Sequence, residues 1–314
     1  MLTRRLIRIK VFQSLYGETL STISGSQLHP IVNKLKKSSV GFYQTFQSVL
    51  AFPLVCKQFM ENHLNPKEEK YIVDELSVKT YESIANNPII KDLENQNLVI
   101  EYFNNPSINW LDYDGFIREA YQSFIKSKIG NSIDILNPNW PFFFQTIKAF
   151  FDYLMIDNPN FDQIMEGERM QWYDEKLAID LMLQNVLKTY KTEKGQFQLK
   201  IKKDHVLRDQ NLGIDLLEKT IVHYDEIQDI IDEQTTKWEL ERMAKVDRIL
   251  MTMALVEMLH FSDIPVKVSI NEYIDIAKAY STKDSGKFVN GILDKIKKEF
   301  VEADKLNKSG RGLL

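Results

Sequence analysis

The sequence has one cysteine, Cys56, in 314 residues. A lone thiol excludes an internal disulfide framework and any cysteine-rich metal site, and it fits a reducing compartment. Glycine is scarce, with 12 residues, as is proline, with 9. Alternating strand patterns are rare as well, which removes most all-β architectures. No apolar run reaches the roughly 20 residues that cross a bilayer. The N-terminal MLTRRLIRIK is basic, but it lacks the apolar core and small-residue cleavage site of a secretory signal. These absences lead us to expect a cytoplasmic protein with no membrane segment. Positive charge is not in excess either: the net charge is -4, which argues against coating nucleic acid by bulk charge.

What is present is helix. Long stretches carry apolar residues at helical spacing, and the chain is long enough to bury a core without staples. No internal repeat of fixed period appears. We read an all-α protein in four parts. Residues 1–20 form a first helix. Residues 21–203 form a long helical region holding eight of the nine prolines, read as helices ended by Pro30, Pro53, Pro66, Pro88, Pro106, Pro138, Pro141 and Pro159. Within it, PFFFQTIKAFF (Pro141 to Phe151) is expected in the core, and KTEKGQ from Lys191 is expected as a loop. Residues 204–300 form a compact helical block, and 301–314 a loose tail. In the block, VDRILMTMALVEMLHF (Val246 to Phe261) is apolar on nearly every side and belongs at a bundle centre. Ser269 and Glu272 have the spacing of a capping box, with Ile270, Tyr273, Ile274 and Ala277 following as a core stripe. Val289, Ile292, Leu293, Ile296 and Phe300 form the buried stripe of the last helix.

Charge is unevenly spread. Arg4, Arg5, Arg8 and Lys10 all precede the first acid, Glu18. On a helical wheel the three arginines fall within about 100° of each other, on the side of Phe12, Leu15 and Tyr16. Burying three cations without partners is costly. The first turns are therefore expected on the rim of the bundle, where a polyanion can reach them, with Lys10 pointing away.

The stretch STKDSGKFVNGILDKI (Ser281 to Ile296) raises a second possibility. Ser281 or Thr282 is expected to cap the helix. Gly286 and Gly291 each cost roughly 1 kcal/mol relative to Ala inside a helix. Asp284, Lys287, Phe288 and Gly291 share one face by steps of three and four. A cation beside a ring and bare backbone suits single-stranded nucleic acid, with phosphate on the cation and a base on the ring. The same pattern also serves the edge of a helical core.

Chemistry of other kinds finds little footing. Glu257 sits in an apolar sector with Val246, Leu250 and Met253, so it is either paired inside the protein or faces a partner chain. Glu257 and His260 have the Glu-x-x-His spacing of di-iron bundles, but a second copy is missing. His29, His63, His205 and His223 have no ligand spacing. The SGK at 285–287 lacks the surrounding residues of a phosphate-binding loop. No metal, cofactor or catalytic constellation is expected.

Taken together, RRLIRIKVFQSLY (Arg4 to Tyr16), the run from Val246 to Ile296, within which DIPVKVSINEYIDIAK (Asp263 to Lys278) and KDSGKFVNGILDKI (Lys283 to Ile296) are the specific parts, and, more loosely, LGIDLLEKTIVHYDEIQDII (Leu212 to Ile231) resemble the NusB family of transcription antitermination factors. The resemblance implies two packed helical bundles and no catalysis. It implies binding of the boxA element of nascent ribosomal RNA together with the ribosomal protein NusE, within an RNA polymerase antitermination complex. By the same resemblance Arg4, Arg5 and Arg8 are phosphate contacts, and Asp284, Lys287 and Phe288 line the same RNA site. Tyr16 and Glu257 fall at the partner surface. Ser281 stands where the family often has glycine, and Lys283 where it often has an acid. The inserted region is the main departure: it is an added helical layer, a partner surface, or a cover over the RNA site. The competing function is therefore a non-catalytic helical scaffold whose insert binds a partner and which ignores RNA. Some ribosomal RNA methyltransferases begin with a NusB-like domain. They continue into a Gly-rich cofactor domain, whereas here the NusB-like part comes last.

Overall fold

A computed structural model describes residues 3–18, 20, 25–63, 86–126, 140–188, 203–236 and 243–309, and among them the regular structure is helical, with no strand. The expected loop at 191–196, Pro66, Pro138 and the chain beyond residue 309 lie outside these residues. The helices are α1 (Arg4–Tyr16), α2 (Gly25–His63), α3 (Pro88–Glu94), α4 (Asn97–Asn104), α5 (Asp114–Lys126), α6 (Trp140–Asp152), α7 (Pro159–Glu168), α8 (Trp172–Lys188), α9 (Lys203–Val222), α10 (Tyr224–Gln234), α11 (Lys245–His260), α12 (Val266–Tyr280) and α13 (Ser285–Glu302). A 3-10 turn spans Trp110–Tyr113, and a π-helical turn spans Tyr153–Asp157. The chain falls into two compact units, Val40–His205 and Leu2–Ser39 with Val206–Leu314. Residues 25–39 of α2 thus belong with the two ends of the chain rather than with the expected 21–203 region.

The terminal unit is organised around α11. Every residue from Ile249 to Met258 is buried, as its all-round apolar sequence requires. Helices α1, α10, α12 and α13 pack on it. Leu6, Ile7, Val11 and Leu15 of α1 supply one wall, and Val289, Ile292, Leu293, Ile296 and Phe300 of α13 another. In α9, a Cβ on Gly213 would stand 2.9 Å from Ile7 Cγ2, so the glycine permits close approach of α9 to α1.

Helix α12 begins earlier than the capping-box spacing indicates. Its N-cap is Pro265, and Ser269 and Glu272 lie inside the helix with other work to do. Ile274 is half-buried, while Ile270, Tyr273 and Ala277 are buried. The tail is likewise less loose than expected as far as Ser309. Its Lys308 Nζ donates to the carbonyls of Glu257 (3.2 Å) and Phe261 (2.7 Å), and Ser309 N donates to Ser262 O (2.9 Å). A cation on the last carbonyls of α11 meets the negative end of the helix dipole.

The other unit has an aromatic centre. Phe52 meets Trp110 at 4.6 Å between ring centroids and stacks on Phe150 at 6.1 Å. Trp110 stacks on Phe161 at 5.8 Å, and Phe161 meets Trp172 edge-on at 5.8 Å. Pro88 and Pro159 each open a helix, behind Asn87 and Asn158 caps. Pro30 and Pro53, in contrast, lie inside α2, against the reading that each proline ends a helix. An interior proline costs about 3 kcal/mol. Around Pro53 that cost is offset by burial, because Ala51, Phe52, Leu54 and Val55 are all buried.

Candidate nucleic-acid interface

The three arginines of α1 have different fates. Arg8 is 1% exposed, as is Glu257. Their side chains form a bidentate pair, with Arg8 Nε donating to Glu257 Oε2 (2.8 Å) and Nη2 to Oε1 (2.7 Å). Ser269 Oγ donates to Oε1 (2.6 Å) and Tyr273 OH to Oε2 (3.2 Å). The carboxylate thus receives four hydrogen bonds, as a buried charge needs. Burial is the largest effect on the guanidinium and lowers its pKa, but the hydrogen bonds and charge of Glu257 outweigh it and the net shift is upward. Burial, followed by the Glu257 charge, pushes the Tyr273 phenol well up. The rim position expected of Arg8 and the partner-facing alternative for Glu257 are therefore corrected: each side chain is occupied by the other. Lys10 is buried too, with Nζ donating to Ser38 Oγ (2.9 Å).

Arg4 and Arg5 do reach solvent. Arg4 is 57% exposed, with Asp263 at 3.7 Å. Arg5 is 48% exposed, yet its guanidinium is held by two carboxylates of α12. Nε donates to Glu272 Oε2 (2.9 Å) and Nη2 to Asp275 Oδ2 (3.0 Å). The Glu272 hydrogen bond is the main reason the Arg5 pKa is raised.

Asp275 joins this cluster to the last helix. It lines a groove of about 460 Å³ with Asn271, Ile274, Lys278, Gly286, Lys287 and Asn290. Gly286 is explained by the neighbouring helix, since a Cβ there would stand 2.8 Å from Lys278 Cγ. Gly291 has nothing within 4 Å of that position and leaves bare backbone on the surface. Lys287 and Asp284 are exposed, and Phe288 is half-buried.

Helix α13 starts at Ser285, behind Asp284 as N-cap with no side-chain cap bond, so neither Ser281 nor Thr282 is the cap. Both instead surround Ser285, whose Oγ donates to buried Asp247 Oδ2 (2.8 Å) and lies 2.7 Å from Thr282 Oγ1 and 2.9 Å from Ser281 Oγ. This cluster fixes the turn before α13, whose first turn presents Lys287.

Tyr16 is 47% exposed, and its ring has Lys245 Nζ 5.3 Å from the centroid. Glu257 and His260 do not converge. The His260 ring stacks on His223, with centroids 4.0 Å apart, and among the described residues no three histidine, cysteine or acidic side chains are grouped as metal ligands. Among the described residues, no helix is long and apolar enough to cross a membrane.

The sequence reading missed the acids on Arg5 and the groove amides. The signal was Glu272 and Asp275 at i, i+3, masked by the resemblance of Ser269-x-x-Glu272 to a capping box.

Residues 174–298 match the model of the NusB family. The transcription antitermination protein NusB of Salinibacter ruber is 44% identical over 99 residues, 32% of this chain and 62% of that protein. Its namesake from Chloroherpeton thalassium is 55% identical over 91 residues, 28% of this chain and 43% of that protein. The one from Thermodesulfovibrio yellowstonii is 49% identical over 86 residues, 27% of this chain and 57% of that protein. The chain therefore spans between 43% and 62% of the length of these relatives. A solved structure of T. maritima NusB is 35% identical, with a TM-score of 0.30 over 39% of this chain and 80% of that chain. The chain carries a NusB-family domain over residues 174–298.

Proposed function

We propose that the protein is a transcription antitermination factor. In this reading it binds boxA-type RNA of nascent ribosomal transcripts together with the ribosomal protein NusE and acts on elongating RNA polymerase. The observation that carries the reading is the groove between α12 and α13, which links Arg5, through Asp275, to Lys287. Three relatives named as transcription antitermination proteins support it.

In this reading Arg4 and Lys287 meet phosphates, and Phe288 offers its ring to an unstacked base. Asn271 and Asn290 offer amides to base edges. Arg5 joins when its carboxylate partners yield it. Asp284 lies at the N-terminal end of the same helix face. Arg8 and Glu257 contribute from inside, by fixing α1 against α11 and α12. Tyr16 belongs to the NusE-facing surface. A basic partner supplies charge that a chain of net charge -4 does not.

The test is binding of a boxA RNA by the full chain at two salt concentrations, with and without NusE. Tight, salt-sensitive binding that NusE strengthens is expected. Capture of NusE without RNA binding overturns the RNA role. Loss of both leaves the scaffold reading.

A further inference from the structure

Helix α8 carries an apolar stripe that the described residues leave uncovered. Trp172, Ala178, Ile179, Met182, Leu183, Val186 and Leu187 face inward and are buried. Tyr173, Leu177 and Leu181 face outward, with exposures of 62%, 69% and 47%. They are spaced four apart, so they form a single ridge about 12 Å long. Met170, in the turn before the helix, is 96% exposed and extends the ridge by about another turn. Such a row is the surface that a second helix takes between its own ridges. Contiguous exposed apolar residues on a folded domain mark an interaction site more often than scattered ones do.

The charges around the stripe say what fits it. On the α8 wheel Asp174 lies about 60° to one side of Leu177 and Asp180 about 60° to the other. Asp180 is half-buried, and its charge makes that edge favourable to a cation. Exposed Glu166, from α7, adds a third carboxylate, whose charge pushes the Tyr173 phenol up. Residues 140–188 hold eight acids and four basic residues. Three of the four cations are already committed: Lys148 to Asp152, Arg169 to Glu175 and Lys176 to Asp162. The fourth, Lys188, stands at the far end of the helix. The stripe is therefore apolar along its crest and acidic along its flanks.

We propose that the exposed face of α8 docks a basic amphipathic helix of another protein, its apolar side on Tyr173, Leu177 and Leu181 and its lysines or arginines over Asp180 and Glu166. This surface is separate from the RNA reading and stands without it. The mode is helix-on-helix recognition read by i, i+3, i+4 and i+7 anchors, with flanking charges selecting the partner.

The test uses the full chain and three labelled synthetic helical peptides of equal length. One has leucines at i, i+3, i+4 and i+7 with lysine flanks. The second replaces lysine by glutamate, and the third replaces leucine by serine. Anisotropy titration is expected to show the first bound about ten-fold or more tightly than either control, on the scale of losing central anchors. Leu177→Ser with Leu181→Ser is expected to remove that advantage at unchanged Tm, both side chains being exposed. If that double variant melts early, Leu177→Lys, which adds only repulsion, replaces it. Asp180→Asn with Glu166→Gln is expected to flatten the salt dependence. Equal binding of the glutamate peptide, or of the serine peptide, overturns the proposal. So does dimerisation of the chain that Leu177→Ser with Leu181→Ser abolishes, because a second copy would then be the occupant.

Discussion

Each unit contains an arginine that makes a bidentate pair with a fully buried glutamate, and the two pairs do different jobs. In Val40–His205, Arg169 meets Glu175 six residues on, with Nε–Oε2 at 3.0 Å and Nη2–Oε1 at 2.8 Å. Its guanidinium also lies where a Cβ on Gly41 would sit, 2.3 Å from Nη1. This pair fixes a local turn beside an aromatic core. In the terminal unit, Arg8 meets Glu257 across 249 residues of sequence. That pair ties the first helix to α11 and, through Ser269 and Tyr273, to α12. Charge in one unit tightens a corner, while in the other it joins the two ends of the chain into one body. The surfaces differ in the same sense: α8 shows an apolar, acidic face, and the α12–α13 groove shows lysines and amides.

The largest expected effect tests the internal pair. Arg8→Ala leaves Glu257 buried without its cation and should destabilise the protein by about 3–5 kcal/mol, as removing one partner of a buried pair does. Arg169→Ala should cost less, because 21% of the Arg169 side chain reaches solvent and water can enter there to solvate Glu175 in its place. Urea unfolding of both variants measures the difference, and equal losses would erase the distinction between strut and corner.

Next in size is Phe288→Ala, expected to weaken boxA RNA binding by about 1–3 kcal/mol without changing its salt slope. If the variant instead loses stability by that amount, Phe288 serves the core. Lys287→Ala should make the negative slope of log K against log salt shallower by about 0.7, the share of one single-strand phosphate contact. Glu272→Gln with Asp275→Asn should steepen it by about the same amount by releasing Arg5. Glu166→Gln, in the other unit, should leave it unchanged.

The smallest expected effect is on pH. Burial, followed by the neighbouring His223, lowers the His260 pKa below 6.5. The folded state thus prefers neutral His260, and its contribution is full above pH 6.5 and lost as pH falls through the lower folded value. Tm should decline more steeply between pH 7 and 5 in the parent than in His260→Phe. Matching curves would remove His260 from the account.

How much was legible follows from the kind of information each feature needs. The all-α class, the central place of α11 and the buried stripe of α13 follow from apolar spacing, which a single helix displays along its own length. The grouping of Lys287, Phe288 and Gly291 on one face is equally local. Pro53 inside α2 is the counterexample, since its cost is met by burial that other segments supply.

The sequence by itself determined which faces are apolar, where cations concentrate and which family the motifs resemble. Only the tertiary structure decided what each charge meets. Arg4, Arg5 and Arg8 look alike on a wheel, yet one reaches solvent, one is clasped by Glu272 and Asp275, and one is buried on Glu257. The physical reason is that a charge's role depends on its partners and its distance from water. Those are set by helices more than 240 residues apart in sequence.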